Sequence, residues 1–355
     1  MPKTKVVIII KYFFPIKRPS GISSFVHELA NALASDVDLT VVSYKKEKDN
    51  RNQDRSNGYD ILKIKKPFPI TAPKLVNKLN PDIVIIFSGI FKPIKTLFYF
   101  GLISILLKNR NQIFCQATNY NTKTLSSYYK LFLRQFKAII ATNDYLQQQY
   151  QNLGMKSVLI TPGVNSTVLN QKTIEINKSK KVRIGFFGHF YQVKGPDRLL
   201  NAFLKINPSN AEVIFAGGEG PLENLLKEQA KKDSRIIVIG WQKSIISLIA
   251  SCDIVVLPYR NSYSVLGYSQ AALEAMSLEI PVIGTKTPSL EFLIKDGYNG
   301  YIVKNDEELA KMLQYLIDNP AKRKELGINA RQTIINDFDI KKIAKDYLNL
   351  LNENR

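Results

Sequence analysis

Cysteine is nearly absent from this chain: Cys115 and Cys252 are the only two in 355 residues. They are far apart and in no motif. They give no disulfide framework, and they suggest a reduced, cytosolic chain with buried thiols. No histidine–cysteine cluster has zinc spacing, and no Ser-His-Asp set is evident. Asp36 and Asp38 have the spacing of a carboxylate pair. Short motifs of that kind match often by chance, and no metal is expected. Long apolar runs are lacking too. The longest uncharged one, 96–107, falls well short of the roughly 20 residues a spanning helix needs. Lys3 and Lys5 precede the apolar run 6–10, but K-Y-F-F-P follows it instead of a small-residue cleavage site. That run is expected to be a buried first strand, not a secretory signal. There is no fixed-period repeat and no low-complexity tract.

Acidic residues are the other shortage. The chain carries 30 Asp and Glu against 50 Lys and Arg, a net charge of +20. The deficit is concentrated in one half. Residues 1–165 hold 24 basic and 9 acidic residues, a net +15, whereas 166–355 hold 26 and 21, a net +5. A field of one sign on one half points to an anionic partner there: a membrane surface, a lipid phosphate or nucleic acid. No nucleic-acid motif and no dense basic tract is present, and K-I-K-K at 63–66 is too short, so nucleic acid is set aside.

The length suggests two domains, each with its own core, and the 45% hydrophobic fraction is that of a globular chain. Strands and helices alternate, which predicts an α/β architecture with parallel sheets. Apolar, β-branched runs predict strands at 6–10, 39–43, 83–87, 113–116 and 138–142, then at 183–188, 212–216, 235–239, 254–258 and 282–285. Helices are expected at 24–34, 97–107, 124–136 and 144–153, then at 196–205, 221–232, 245–251 and 269–277. The lysine-rich stretch 166–181 reads as a linker. The expected layout is therefore an N-terminal Rossmann-like domain at 1–165, that linker, a second such domain at 182–340, and a C-terminal helix at 341–355 packing back on the first. Ligands of such sheets sit beyond the carboxyl ends of the strands, which for two facing domains means the cleft.

Several loops carry candidate chemistry. In G-F-F-G-H-F-Y-Q-V-K-G-P (185–196) a strand ends at Gly188, His189 and Lys194 occupy a short loop, and Gly195-Pro196 opens a helix. Glycine lets a ligand approach backbone closely, and a lysine facing a helix N-terminus can neutralise phosphate; a solvated loop lysine is equally compatible. A second strand–turn–helix holds A-G-G-E-G-P (216–221), with Gly218. Trp241, the single tryptophan, follows another strand and can flank a nucleobase or simply fill the core. Ser20-Gly21 lies at the first strand-to-helix turn, suited to an anion on free amides or to a plain cap. In S-Q-A-A-L-E-A-M (269–276) Glu274 stands among small and apolar residues. Either it is a paired structural carboxylate, or it accepts two hydrogen bonds from a sugar diol while a phosphate rests on the helix N-terminus. His27 is expected on the surface of its helix. Asp337 and Asp339 look like cap residues. The apolar run 90–110 and the aromatic–basic run 128–137 are compatible with buried helices with lysine-capped ends, or with an interfacial surface docking on anionic lipid.

Taken together these motifs resemble the retaining nucleotide-sugar glycosyltransferases of family 4, which have the GT-B fold of two Rossmann-like domains facing across a cleft. The likeness covers nearly the whole chain. Ser20-Gly21 and 22–33 are similar to the family's N-terminal Gly-rich turn and helix, and P-G-V-N (162–165) to its linker entry. Residues 188–195 resemble its phosphate loop and 218–221 its G-x-G-P turn. Cys252 to Pro258 match its A-D-(three apolar)-P strand, and Glu274 to Val282 its E-A-M block. The resemblance implies that Glu274 binds the donor ribose, Lys194 the diphosphate, and backbone amides around Tyr268, Ser269, Gln270 and Gly21 the phosphates. Trp241 would lie at the base pocket. Where the family has a sugar-binding Glu eight residues before Glu274, this chain has Leu266. Its phosphate-loop Arg is His189. In place of a His after the fourth N-terminal strand stand Thr118 and Asn119, on the acceptor side.

The implied activity is retaining, metal-independent and cofactor-free hexosyl transfer. The donor is a UDP- or GDP-sugar in preference to an ADP-sugar, and the acceptor is a glycan or lipid-linked hydroxyl used in cell-surface polysaccharide or glycolipid synthesis. The place is the cytoplasm or the inner face of the membrane, with the N-terminal domain as the side facing anionic lipid. The departures at Leu266, Thr118 and His189 motivate an alternative, a non-catalytic GT-B-like partner subunit of a glycosyltransferase complex. A GT-B-fold epimerase lacks the catalytic carboxylates it would need.

Overall fold

Five consecutive β-branched residues, Val6 to Ile10, are all buried, and they start the N-terminal sheet. A computed structural model describes residues 2–11, 13, 21–44, 53–65, 67–88, 93–116, 126–169, 179–242, 244–261 and 268–354. The chain divides into two compact units. One comprises Met1–Gly163, Leu266–Tyr268 and Ile340–Arg355; the other comprises Val164–Val265 and Ser269–Asp339.

Unit 1 contains β1 (Lys5–Ile10), α1 (Gly21–Leu33), β2 (Asp38–Tyr44), β3 (Gln53–Ser56), β4 (Tyr59–Ile64), α2 (Phe68–Leu79), β5 (Ile83–Ser88), α3 (Pro93–Leu106), β6 (Gln112–Gln116), α4 (Ser126–Leu133), β7 (Ala138–Ala141), α5 (Asp144–Asn152) and β8 (Val158–Leu159). Its sheet runs β3-β4-β2-β1-β5-β6-β7-β8. All pairs are parallel except β3 with β4. That hairpin departs from the all-parallel expectation. It turns at Asn57-Gly58, both at positive φ (44° and 92°), the dipeptide that fits a tight hairpin turn. Polar β3 gave no apolar run to read. α2 was also unforeseen: Pro69 and Pro73 disguise it, although a proline in the first turn needs no amide partner.

Unit 2 contains β9 (Val182–Phe187), α6 (Pro196–Ile206), β10 (Ala211–Ala216), α7 (Glu223–Lys232), β11 (Ile236–Ile239), α8 (Ile246–Ala250), β12 (Ile254–Leu257), α9 (Gln270–Ser277), β13 (Val282–Thr285), α10 (Pro288–Glu291), β14 (Gly300–Val303), α11 (Asp306–Asp318) and α12 (Pro320–Thr333). Its sheet is wholly parallel, in the order β11-β10-β9-β12-β13-β14. The order reverses between β9 and β12, so a crevice opens beyond their carboxyl ends. The core residues Ile184, Phe186, Val213, Phe215, Ile254 and Val256 lie in these central strands and are buried. Each such side chain contributes roughly 1.5–3 kcal/mol by leaving water.

The last helix, α13 (Ile340–Glu353), belongs to unit 1. Its Tyr347 stacks on Phe87 and its hydroxyl lies 3.7 Å from Cys115 Sγ. Both cysteines are free and buried, and burial pushes each thiol up to about 12. Asp339, read as a cap, accepts a hydrogen bond from the Ser166 hydroxyl within unit 2.

His27 departs from its expected surface position. It is half-buried: its Nδ1 lies 2.9 Å from the Tyr59 hydroxyl and its ring meets Phe13 edge-on. The cause is β4, which brings Tyr59 against α1. Burial holds the imidazole below its usual pKa. The unfolded chain therefore takes up this proton first. Stability is full above about pH 6.5 and declines as pH falls through the window between the unfolded and folded values. Urea midpoints measured at pH 7.5 and 5.0 are expected to fall less in His27→Gln than in the parent. Equal slopes would exclude His27 as a source of the loss.

Candidate functional site

In unit 2 the carboxyl ends of β9, β10, β11 and β12 present Gly188–His189, Gly217–Gly218, Gly240–Trp241 and Pro258–Arg260. The first two loops interlock. Gly188 N donates to Ala216 O, Gly217 N to Ile239 O, and Phe190 N to Gly218 O. A Cβ at Gly217 would stand 1.7 Å from Gly188 O, and one at Gly218 would stand 2.6 Å from the imidazole Nδ1 of His189. The glycines thus let the Gly188 carbonyl and the His189 ring pack closely against the second loop. His189 is exposed, with the Tyr191 ring 6.0 Å away. Trp241 is half-buried and Gly240 open.

Lys194 ends a one-turn 3-10 helix, Gln192–Lys194, and its ammonium sits 4.4 Å above the Tyr259 ring. Next to it Gly195 takes φ 70°, and a Cβ there would be 2.0 Å from Pro258 O. Two clamps fix this loop. Arg260 donates to Gln192 O and to both oxygens of Asp197, while its own amide donates to Val193 O. Arg198 donates to Pro258 O, Tyr259 O and Asp306. A side chain at 195 has to distort the loop or push Pro258 away. Gly195→Ala is expected to cost about 2–3 kcal/mol from left-handed strain and overlap, read as a lower denaturant midpoint. An unchanged midpoint would show that the loop yields freely.

Tyr259 connects this loop to α9. Its hydroxyl is 3.0 Å from Ser269 Oγ. Ser269 is buried and caps α9, accepting from Ala272 N. The amides of Gln270 and Ala271 open the helix and have no carbonyl to reach within it. One turn on, Gln270 Nε2 donates to Glu274 Oε1 at 3.1 Å. Gln270 Oε1 is buried and, among the described residues, meets no donor. Ala272, Leu273, Ala275 and Met276 pin the helix to the core, leaving Glu274 half-buried on the other face. Unit 2 therefore gathers Gly188, His189, Lys194, Gly218, Trp241, Ser269, Gln270 and Glu274 at or beside one end of its sheet.

The remaining candidates lie elsewhere. Tyr268 belongs to unit 1 and is fully buried there, with its ring edge-on to Phe25 and its hydroxyl donating to Gly21 O at 3.3 Å. Burial raises its phenol well above the usual value. The Tyr268 side chain is thus a core element, and Gly21 is the first residue of α1. Ser20, Thr118, Asn119 and Leu266 fall outside the described residues. Tyr259, Asp197, Arg198 and Arg260 escaped the sequence reading. Position was the only signal for Tyr259 and Arg260, which directly follow the Pro258 that ends an apolar strand. Among the described residues no group of three or more His, Cys, Asp or Glu is placed to hold a metal ion, and no helix is long and apolar enough to cross a membrane.

Residues 168–333, just under half of the chain, match the model of the family "Glycosyl transferases group 1". The uncharacterized glycosyltransferase MJ1069 of Methanocaldococcus jannaschii is 23% identical, with the match covering 98% of each chain. The uncharacterized glycosyltransferase MJ1178 of the same organism is 27% identical over 65% of this chain and 66% of its own length. Among solved structures, Anabaena Alr3699/HepE in complex with UDP-glucose superposes with a TM-score of 0.77 at 15% identity, over 98% of this chain and 99% of that one. The fold is GT-B, and the match to the glycosyl transferases group 1 model lies almost wholly within unit 2.

Proposed function

We propose that this GT-B glycosyltransferase is a retaining, metal-independent enzyme that moves a hexosyl group from a nucleotide diphosphate sugar to an acceptor hydroxyl. The observation that carries this reading is the chain Lys194–Tyr259–Ser269–Gln270–Glu274 at the switch point of unit 2, inside the group 1 domain. A diphosphate and a ribose need these groups together: a cation and helix-terminal amides for the one, an acceptor carboxylate for the other. The buried Gln270 Oε1 fits the same picture, since an orphaned acceptor costs about 1–3 kcal/mol and a ligand hydroxyl would satisfy it.

In the reaction the anomeric carbon–oxygen bond to the diphosphate breaks, and a bond from that carbon to the acceptor oxygen forms on the same face. Negative charge grows on the leaving diphosphate, where Lys194, His189 and the first amides of α9 stabilise it. The leaving phosphate takes the acceptor's proton. Glu274 and Trp241 hold the nucleoside. The acceptor is a glycan or lipid-linked alcohol of cell-surface polysaccharide or glycolipid synthesis, met by unit 1, whose charge suits an anionic membrane surface. The relative solved with UDP-glucose supports a UDP-sugar ahead of a GDP-sugar.

Calorimetry with UDP-, GDP- and ADP-glucose tests this reading. Micromolar binding of one nucleotide over the others is expected. Absence of binding to all of them overturns the donor site and favours a non-catalytic partner subunit.

A further inference from the structure

Between Asp82 and Asp144 the sequence holds no acidic residue and eight basic ones. Within that stretch α3 has two unlike faces. Phe100, Ile103, Ser104 and Leu107, just past its end, are buried. Leu102, Ile105 and Leu106 fall in an arc of about 100° on the opposite side. All three are exposed, Ile105 at 69%. Gly101, at the edge of that arc, packs against Phe132 of α4, and the neighbouring Leu131 is also 69% exposed. Four large aliphatic side chains thus face outward from two adjoining helices. Lys108 and Arg110 follow α3, and Lys130 and Arg134 bracket Leu131; three of these four are exposed and Lys130 is half-buried. Among the described residues no ion pair involves any of the four.

We infer that the outer face of α3 and α4 docks on an anionic lipid bilayer, with Leu102, Ile105, Leu106 and Leu131 entering the headgroup boundary and the flanking cations meeting lipid phosphates. This rests on the membrane-side role given to unit 1 above and names its surface. Apolar side chains supply the insertion and the basic rim supplies the attraction, the combination interfacial helices use. The other occupants fit less well. A second copy placed by two-fold symmetry would set this basic rim against itself, and a protein interface favours aromatic anchors, whereas these four residues are aliphatic.

The test is co-sedimentation of the full chain with vesicles of phosphatidylcholine alone, or with about a third phosphatidylglycerol. Donor calorimetry and a melting curve are run beside it on every variant. Stronger partition into the anionic vesicles is expected, weakened in 0.5 M salt. Ile105→Ser/Leu131→Ser is expected to lower it by at least about tenfold at an unchanged melting temperature, and Lys108→Gln/Arg110→Gln/Arg134→Gln to lower it as well. Equal partition into neutral vesicles, no partition, or apolar variants that bind like the parent would overturn the docking surface. So would a dimeric parent that Ile105→Ser/Leu131→Ser makes monomeric. Vesicle binding without nucleotide binding leaves this surface standing and removes the enzyme reading; nucleotide binding without vesicle binding does the reverse.

Discussion

Glu274→Ala is expected to weaken donor binding by two to three orders of magnitude while the melting temperature stays within a few degrees of the parent. Charge-assisted hydrogen bonds contribute about 1.5–3 kcal/mol each. Taken near the lower end of that range, a carboxylate accepting from both ribose hydroxyls supplies about 3–4 kcal/mol, and about 1.4 kcal/mol is a factor of ten. Stability is spared because alanine is the best helix former and α9 is held by Ala272, Leu273, Ala275 and Met276, all fully buried. Gln270 loses its acceptor at 3.1 Å, but Gln270 is itself only half-buried and can turn to water. Glu274→Gln keeps one acceptor oxygen and is expected to lie between, near tenfold. The two meanings of this carboxylate separate cleanly in calorimetry and melting run on the same samples. A structural Glu274 predicts a large drop in melting temperature with affinity preserved in whatever stays folded, and that result would remove the diol role.

Lys194→Ala should lower the rate of nucleotide diphosphate release by about 10²–10³ with a smaller change in donor KM. In the proposed reaction the charge it faces grows as the glycosidic bond breaks, which makes its interaction stronger in the transition state than in the ground state. Its position is tightly set: Tyr259 lies under the ammonium, and Arg260 and Arg198 fix the backbone on either side. Lys194→Arg is expected to keep part of the rate, because the guanidinium retains the charge without the same reach. Tyr259→Phe keeps the ring and loses the bond to Ser269, so a loss under tenfold is expected. Slow donor hydrolysis reads all of these without a known acceptor. A Lys194→Ala enzyme with an unchanged rate would place the leaving-group charge elsewhere.

The parallel strands of both sheets were legible as buried β-branched runs, since a strand covered on both faces needs no alternation. The strands expected at 6–10, 83–87, 183–188 and 282–285 lie within a residue or two of those observed. Glycine-rich turns were legible too: the backbone takes positive φ at 188 and 195, and a Cβ at 195, 217 or 218 would overlap a neighbouring atom. The β3–β4 hairpin had its signal in Asn57-Gly58 and went unread beside a polar strand. α3 shows the limit of periodicity. Its apolar residues run round the whole helix, so only packing separates the buried Ile103 from the exposed Ile105.

By itself, then, the sequence determined two Rossmann-like folds, their Gly-rich loops and the helix that carries Glu274. Each of these follows from chemistry within a few residues: β-branching, missing side chains, caps. Only the tertiary structure decided that Lys194 rests on Tyr259, that Arg260 grips Asp197 63 positions earlier, that His27 meets Tyr59, and that Tyr268 fills the core of unit 1. Those contacts join strands and loops distant in sequence. They exist because the strand order, which no local pattern records, sets these elements side by side.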